Sequence, residues 1–246
     1  LAKDLTQLRL DTRMLLDEAT AADFTAAQVD SAINYAYHEL VSAAVITFED
    51  YYIKTTELDA VENQQEYDVA TDSFPSDFYK MRRVEIDYNT SSDTSVPSRA
   101  TPVTLDDVQR DLGNSSGGIS GRVVPVYYLI GQGSNLKLGL IPVPDEDGTD
   151  AIKLWYVYTV DDLSETGDEV DIPYPDRYAR LISYGAAADL LRKGQQEEQA
   201  AARYRLEFED GLKKMQEELE DRRADQGRGV TDTVGADLMM GPYRSV

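Results

Sequence analysis

PVYYLIGQGSNLKLGLIPVPDEDGTDAIKLWYVYTV, residues 125–160, is the stretch on which the fold turns. It holds three apolar runs separated by turn chemistry. Pro125–Ile130 runs into Gly131-Gln132-Gly133-Ser134, Asn135–Ile141 stops at Pro142 and Pro144, and an acidic turn over Asp145–Gly148 leads to Ala151–Val160. In the last run Ile152, Leu154 and Tyr156 alternate with Lys153, Trp155 and Val157, the period of a strand. Short links between successive strands predict an antiparallel meander. Both faces are fairly apolar, so a small barrel or sandwich is expected instead of one sheet open to water.

Outward from this stretch the period changes twice. Upstream, Tyr51, Ile53 and Thr55 alternate as a strand, and Val84–Tyr88 forms another; Phe74–Phe78 is a connector bent by Pro75. Residues 89–102 are a Ser/Thr/Pro-rich loop, Thr104–Asp107 opens a short helix, and 113–121 (GNSSGGISG) is a flexible loop. Before residue 51 the spacing is helical. Leu5, Leu8, Thr12 and Leu15/Leu16 share one face. Thr25 and Gln28 form a capping box ahead of Val29, Ile33, Tyr37, Leu40/Val41, Ala44 and Phe48. After Asp171-Ile172-Pro173 helical spacing returns through Tyr178, Leu181/Ile182, Gly185, Ala188 and Leu191 to a stop at Gly194. A longer helix then carries the stripe Tyr204, Phe208, Leu212, Met215 and Leu219. The expected fold class is α+β: a helical bundle from the N- and C-terminal segments, with an inserted antiparallel β barrel/sandwich-like domain and an extended C-terminal tail. Its expected divisions are 1–50 with 172–223 for the bundle, 51–171 for the β-rich insertion and 224–246 for the C-terminal arm.

Charge narrows the function. The 246 residues hold 46 Asp and Glu against 24 Lys and Arg, a net charge of −22. A field of that sign repels free nucleic acid and anionic membranes, which argues against sequence-reading nucleic-acid binding. It is compatible with a protein that surrounds DNA without gripping it. Cysteine is absent, so thiolate metal sites, disulfides and Cys nucleophiles are excluded. No apolar run is long enough to span a membrane. The first sixteen residues lack the apolar centre of a signal peptide, and a cytosolic site of synthesis is expected.

Candidate chemistry is sparse. His38 is the single histidine, so no His pair is available to hold a metal ion. Asp145–Asp150 resembles the start of a calcium loop but lacks the closing Glu, and an acidic hairpin turn is the better reading. The 113–121 loop lacks the Lys that a phosphate loop needs. No cofactor, metal site or catalytic residue is therefore expected. Paired carboxylates of a glycan or peptidoglycan hydrolase, and a carbohydrate- or protein-binding module, stay open as alternatives. The last helix is densely charged, with i,i+4 pairs expected at Glu209–Lys213 and Glu218–Arg222. Its end is basic, at Arg222, Arg223 and Arg228. The tail beyond carries Leu238, Met239, Met240 and Tyr243, an apolar patch suited to docking on a partner.

Several stretches in order carry a family likeness. They are Phe24-Thr25 opening a helix with Ile33-Asn34 and Leu40, Tyr67-Asp68-Val69 leading to Phe74–Lys80, and Val126–Ile130. Leu138–Pro142, Ile152–Tyr156, Asp171-Ile172-Pro173, Leu181–Ala187 and a long charged helix complete the series. The chain resembles the head-to-tail adaptor (connector, head-completion) proteins of tailed, short-tailed bacteriophages. That resemblance implies a non-enzymatic virion protein at the neck. It implies a homo-oligomeric ring, usually of twelve copies, bound to the portal protein, with the β-rich part available to tail or nozzle proteins and DNA passing through during genome ejection. By position alone, it makes Arg222, Arg223, Arg228, Leu238, Met239, Met240 and Tyr243 portal-contact candidates.

Overall fold

A computed structural model of the chain describes residues 3–18, 23–68, 74–88, 97–106, 125–131, 135–164, 167–193 and 198–225. The fold is α+β and divides into two units, Leu1–Phe48 with Leu163–Val246, and Glu49–Asp162.

The first unit is a bundle of four helices: α1 (Leu5–Leu15), α2 (Ala26–Thr47), α3 (Pro175–Lys193) and α4 (Glu198–Asp225). Local chemistry starts each of the first three. The Asp4 carboxylate accepts from Gln7 N at 2.7 Å and caps α1. Thr25 and Gln28 close the expected capping box on α2. Pro175 opens α3, where a missing N–H is no loss. α3 packs against the other three helices and is buried nearly all round. Its small residues make this possible. A Cβ on Gly185 would stand 2.8 Å from the Cβ of Ala36 and 3.0 Å from the Phe208 ring, so α2 and α4 close on α3 only because that position is Gly. Polar latches then hold the chain where it enters this unit. Asn34 donates to Leu163 O at 3.1 Å and accepts from Leu163 N at 2.9 Å, and Asp171 N donates to the Tyr37 hydroxyl at 3.0 Å.

The second unit is a seven-stranded sheet preceded by a 3₁₀ turn at Glu49–Tyr52. Its strands are β1 (Ile53–Ala60), β2 (Glu66–Asp68), β3 (Phe78–Ile86), β4 (Ser98–Pro102), β5 (Val126–Ile130), β6 (Lys137–Ile141) and β7 (Gly148–Tyr158), in the order β1-β7-β3-β4-β5-β6-β2. β1 and β2 stand at opposite ends of that order, yet only residues 61–65 separate them. The six spacings of a flat sheet would hold its end strands about 29 Å apart at ~4.8 Å each. The six Cα steps from Ala60 to Glu66 reach about 22 Å at most. The sheet therefore curls into a half-barrel, and the linking residues stitch its seam: Asn63 N donates to Pro144 O at 2.9 Å and Leu140 N to Gln65 O at 2.9 Å. Leu58, Val84, Ile86, Leu138, Leu140, Ile152 and Leu154 fill the interior, each worth about 1.5–3 kcal/mol of burial. On β6, Gly139 pairs with Tyr128 of β5, and the Tyr128 ring lies where a Cβ on Gly139 would sit.

Several expectations are corrected. β5 and β6 pair antiparallel, but β6 does not pair with β7; its second neighbour is β2, while β7 lies between β1 and β3. Pro142 and Pro144 explain the break in the meander. They lack the N–H groups that a tight hairpin would use. One pair, β4 with β5, is parallel. The presumed loop at 89–102 contains β4, whose single buried residue is Ala100. Tyr51 belongs to the 3₁₀ turn, so the first strand starts at Ile53. Most of the short helix expected after Thr104 and all of 113–121 lie outside the described residues.

Candidate interaction surfaces

α4 supplies the most prominent charged surface. Ala201, Phe208, Met215 and Leu219 are buried along one stripe, with Tyr204 and Leu212 half-buried beside them. Tyr204 donates to Leu15 O at 3.0 Å and stacks on Tyr184. The other faces are charged, but the expected pairs along the helix are not formed. Glu209 instead meets Arg205 at 2.7 Å, and Glu218 takes Arg177 of α3 at 2.9 Å. Glu209 thus keeps a partner one turn back on its own helix, while Glu218 pairs across to α3. Arg205 also forms a two-point pair with Glu39 of α2, at 2.5 and 2.9 Å. The Glu39 hydrogen bonds raise the Arg205 pKa, which holds the guanidinium in its charged form. Glu218 acts on α3 as well: burial and its hydrogen bond to Tyr178 raise that phenol.

The basic end of α4 is exposed beyond Leu219. Arg222 lies over the Phe48 ring, 5.9 Å from its centroid. Arg223 projects from the same turn, with no carboxylate or ring partner among the described residues. Of the predicted contact residues, these two are placed; Arg228, Leu238, Met239, Met240 and Tyr243 lie outside the described residues.

Two further features of the bundle were not visible in the apolar periodicity. Leu10 and Met14 stand one turn apart on the solvent side of α1, 59% and 78% exposed. Their signal was present in the sequence, since both fall off the Leu5–Leu8–Thr12 face. A groove of about 570 Å³ opens between α2, α3 and α4. Ala36, Gly185, Ala188, Ala201 and Ala202 line it, and Tyr35, 64% exposed, forms one wall. Such a groove is a product of tertiary packing and leaves no local mark beyond a surplus of small residues.

On the half-barrel, Trp155 lies between Arg83, 4.8 Å from its ring, and Lys153, at 5.5 Å. Lys153 reaches Glu57 of β1 at 2.6 Å. Two residues of the stretch read as a faint calcium loop have structural work, Asp147 through its carboxylate and Asp150 through its backbone N–H. Asp147 accepts from Glu62 N at 2.7 Å, while Asp150 N donates to Asp59 at 2.9 Å. His38 is half-buried against Tyr37. Among the described residues, no group of three or more His, Asp or Glu is placed to hold a metal ion. No helix among them is long and apolar enough to cross a membrane.

Comparison with known families agrees with this architecture. The family model described as SU10 adaptor protein matches residues 2–232, nearly the whole chain, and the chain belongs to that family. The likeness to phage head-to-tail adaptors is thereby borne out, and the protein is a structural component of phage particles. No curated protein matches it.

Proposed function

We propose that copies of this chain form a ring, of twelve by the family resemblance, that joins the portal to the tail and lines the DNA exit channel at the neck of the virion. The observation that carries the reading is the adaptor-family match over residues 2–232. The division into a helical bundle and a half-barrel supports two docking faces on one subunit. In this reading the bundle and the arm at 224–246 face the portal, and the β-rich part serves tail or nozzle proteins. Arg222, Arg223, Arg228, Leu238, Met239, Met240 and Tyr243 make the portal contacts.

The charge suits a duct. A net −22 on each copy, repeated around a ring, repels the phosphate backbone and keeps passing DNA from adhering. No sequence-specific contact is needed, and the role requires no catalysis. Electron microscopy of the native particle tests the reading: a ring of this protein at the portal vertex is expected, and its absence from the virion overturns it. Deleting residues 224–246 tests the arm; undiminished portal binding by the truncated chain refutes that assignment.

A further inference from the structure

Among the exposed apolar residues of the bundle, Leu10 and Met14 make a projection and Tyr35 walls a recess, while Ile46 and Leu206 belong to neither. The projection is Leu10 and Met14, on the side of α1 turned away from Leu5 and Leu8. The recess is the groove between α2, α3 and α4, whose floor is alanine and glycine. A floor of such small residues leaves room for a partner's long, flexible side chain. Methionine, unbranched and adaptable, fits such a space.

We propose that this groove receives the Leu10–Met14 stripe of a second copy of the chain. This deepens the ring reading above and rests on it. Because the two surfaces differ, a copy that offers its stripe to one neighbour leaves its groove free for another. That is a heterologous contact, which propagates around a ring; a two-fold dimer would have to seat both stripes in both grooves at once and would stop at a cross-linked dimer.

Charge favours the same pairing. The groove is lined by Glu39, Asp189, Glu198 and Glu209 against Arg192 and Arg205, an excess of two carboxylates. Met14 is flanked by Lys3, Asp11 and Arg180, an excess of one cation. Lys3 is already joined to Asp11. Arg180 lies over Tyr184 at 5.3 Å, exposed and without a carboxylate partner among the described residues. A negative rim thus meets a positive flank, and the reverse arrangement, stripe to stripe, would set Arg180 against Arg180. Size adds a condition. Leu10 and Met14 together expose about 250 Å², roughly a third of the ~800 Å² per partner typical of a stable interface. One such contact is weak alone, so closure of the ring or a platform beneath it is needed to hold it.

The absence of cysteine makes the test specific. Ala202 is exposed in the groove, so a Met14→Cys/Ala202→Cys chain, oxidised mildly with the portal present, should give a ladder of cross-linked multimers. Met14→Cys alone should give none. Wild-type rings by microscopy without a ladder in the double variant overturn the inference and leave the ring standing. Cross-linking by Met14→Cys alone overturns it too, since stripe would then meet stripe. A ladder without any ring at the portal overturns the neck reading and leaves this contact standing. Met14→Glu, at a position too exposed to disturb folding, should lower the assembled fraction at least tenfold, while Met14→Leu should not; equal assembly of both refutes the role of Met14.

Discussion

Asn34 carries a measurable share of the bundle's stability through two hydrogen bonds to one residue. Its amide donates to Leu163 O and its carbonyl accepts from Leu163 N, at 3.1 and 2.9 Å. Leu163 is only 5% exposed, so water does not readily replace the side chain. Asn34→Ala strands one donor and one acceptor. Each buried, unpaired group costs about 1–3 kcal/mol, and partial access of water near half-buried Asn34 places the sum at about 2–4 kcal/mol. With a urea m-value of about 2 kcal/mol/M, the bundle's midpoint should fall by about 1–2 M, read by far-UV circular dichroism. Asn34→Asp separates the two bonds. It keeps the acceptor for Leu163 N and loses the donor for Leu163 O, so its midpoint should lie between those of wild type and Ala. A shift below about 0.3 M for Asn34→Ala, or equal shifts for Ala and Asp, would refute the argument.

Three further outcomes follow from the packing and the buried phenols. Gly185→Ala drives a Cβ to 2.8 Å from Ala36; overpacking of this kind should cost about 1–3 kcal/mol, seen as a lower thermal midpoint. Thr25→Ala removes the hydroxyl that accepts from Gln28 N and should cost about 1 kcal/mol in urea titration. Burial raises the phenol pKa values of Tyr88, Tyr127, Tyr128 and Tyr156 in the half-barrel, with Asp77 adding to the shift at Tyr156. The folded state therefore favours their neutral forms. Their stabilisation is complete below the unfolded value near 10 and is lost as pH rises above it toward the folded values. Between about pH 7 and 9 this contribution is level, so stability by urea titration should fall above about pH 10, and Tyr88→Phe should make that fall shallower.

Which parts of this fold were legible depends on where the information resides. The Thr25–Gln28 cap, the buried face of α3 and the alternation of Ile152, Leu154 and Tyr156 are written in neighbouring residues, and each appears in the structure. β4 was hidden because one Ala in five residues faces the core, and β2 because it has three residues. Strand order was hidden more deeply. Alternation says which face of a strand is buried and is silent about which strand lies at its edge. Ion pairs behaved likewise: Glu218 took Arg177 of α3 over its local option, and Arg205 bridges Glu39 of α2 as well as Glu209 one turn along its own helix. The basic end of α4 was legible as a candidate surface. The groove was not, since it exists only once three helices meet.

That basic end also allows a structural role to be separated from a docking role. Positive charge in the last turn of a helix offsets the macrodipole, so Arg222 and Arg223 would be favourable there without any partner. Arg222 has a second local use, lying over Phe48 at 5.9 Å. Its replacement should therefore disturb the bundle along with the proposed portal contact, and loss of binding by Arg222→Ala alone would not distinguish them. Arg223 shares the dipole effect but has no carboxylate or ring partner among the described residues. Arg223→Gln removes the charge while keeping length and helix propensity, and should leave the urea midpoint nearly unchanged. If the arginines dock on the portal, the same variant should bind it several-fold more weakly at low salt, with the difference shrinking as ionic strength rises. Equal portal binding by wild type and Arg223→Gln across that salt range would leave the arginines with the helix alone and remove Arg223 from the contact surface.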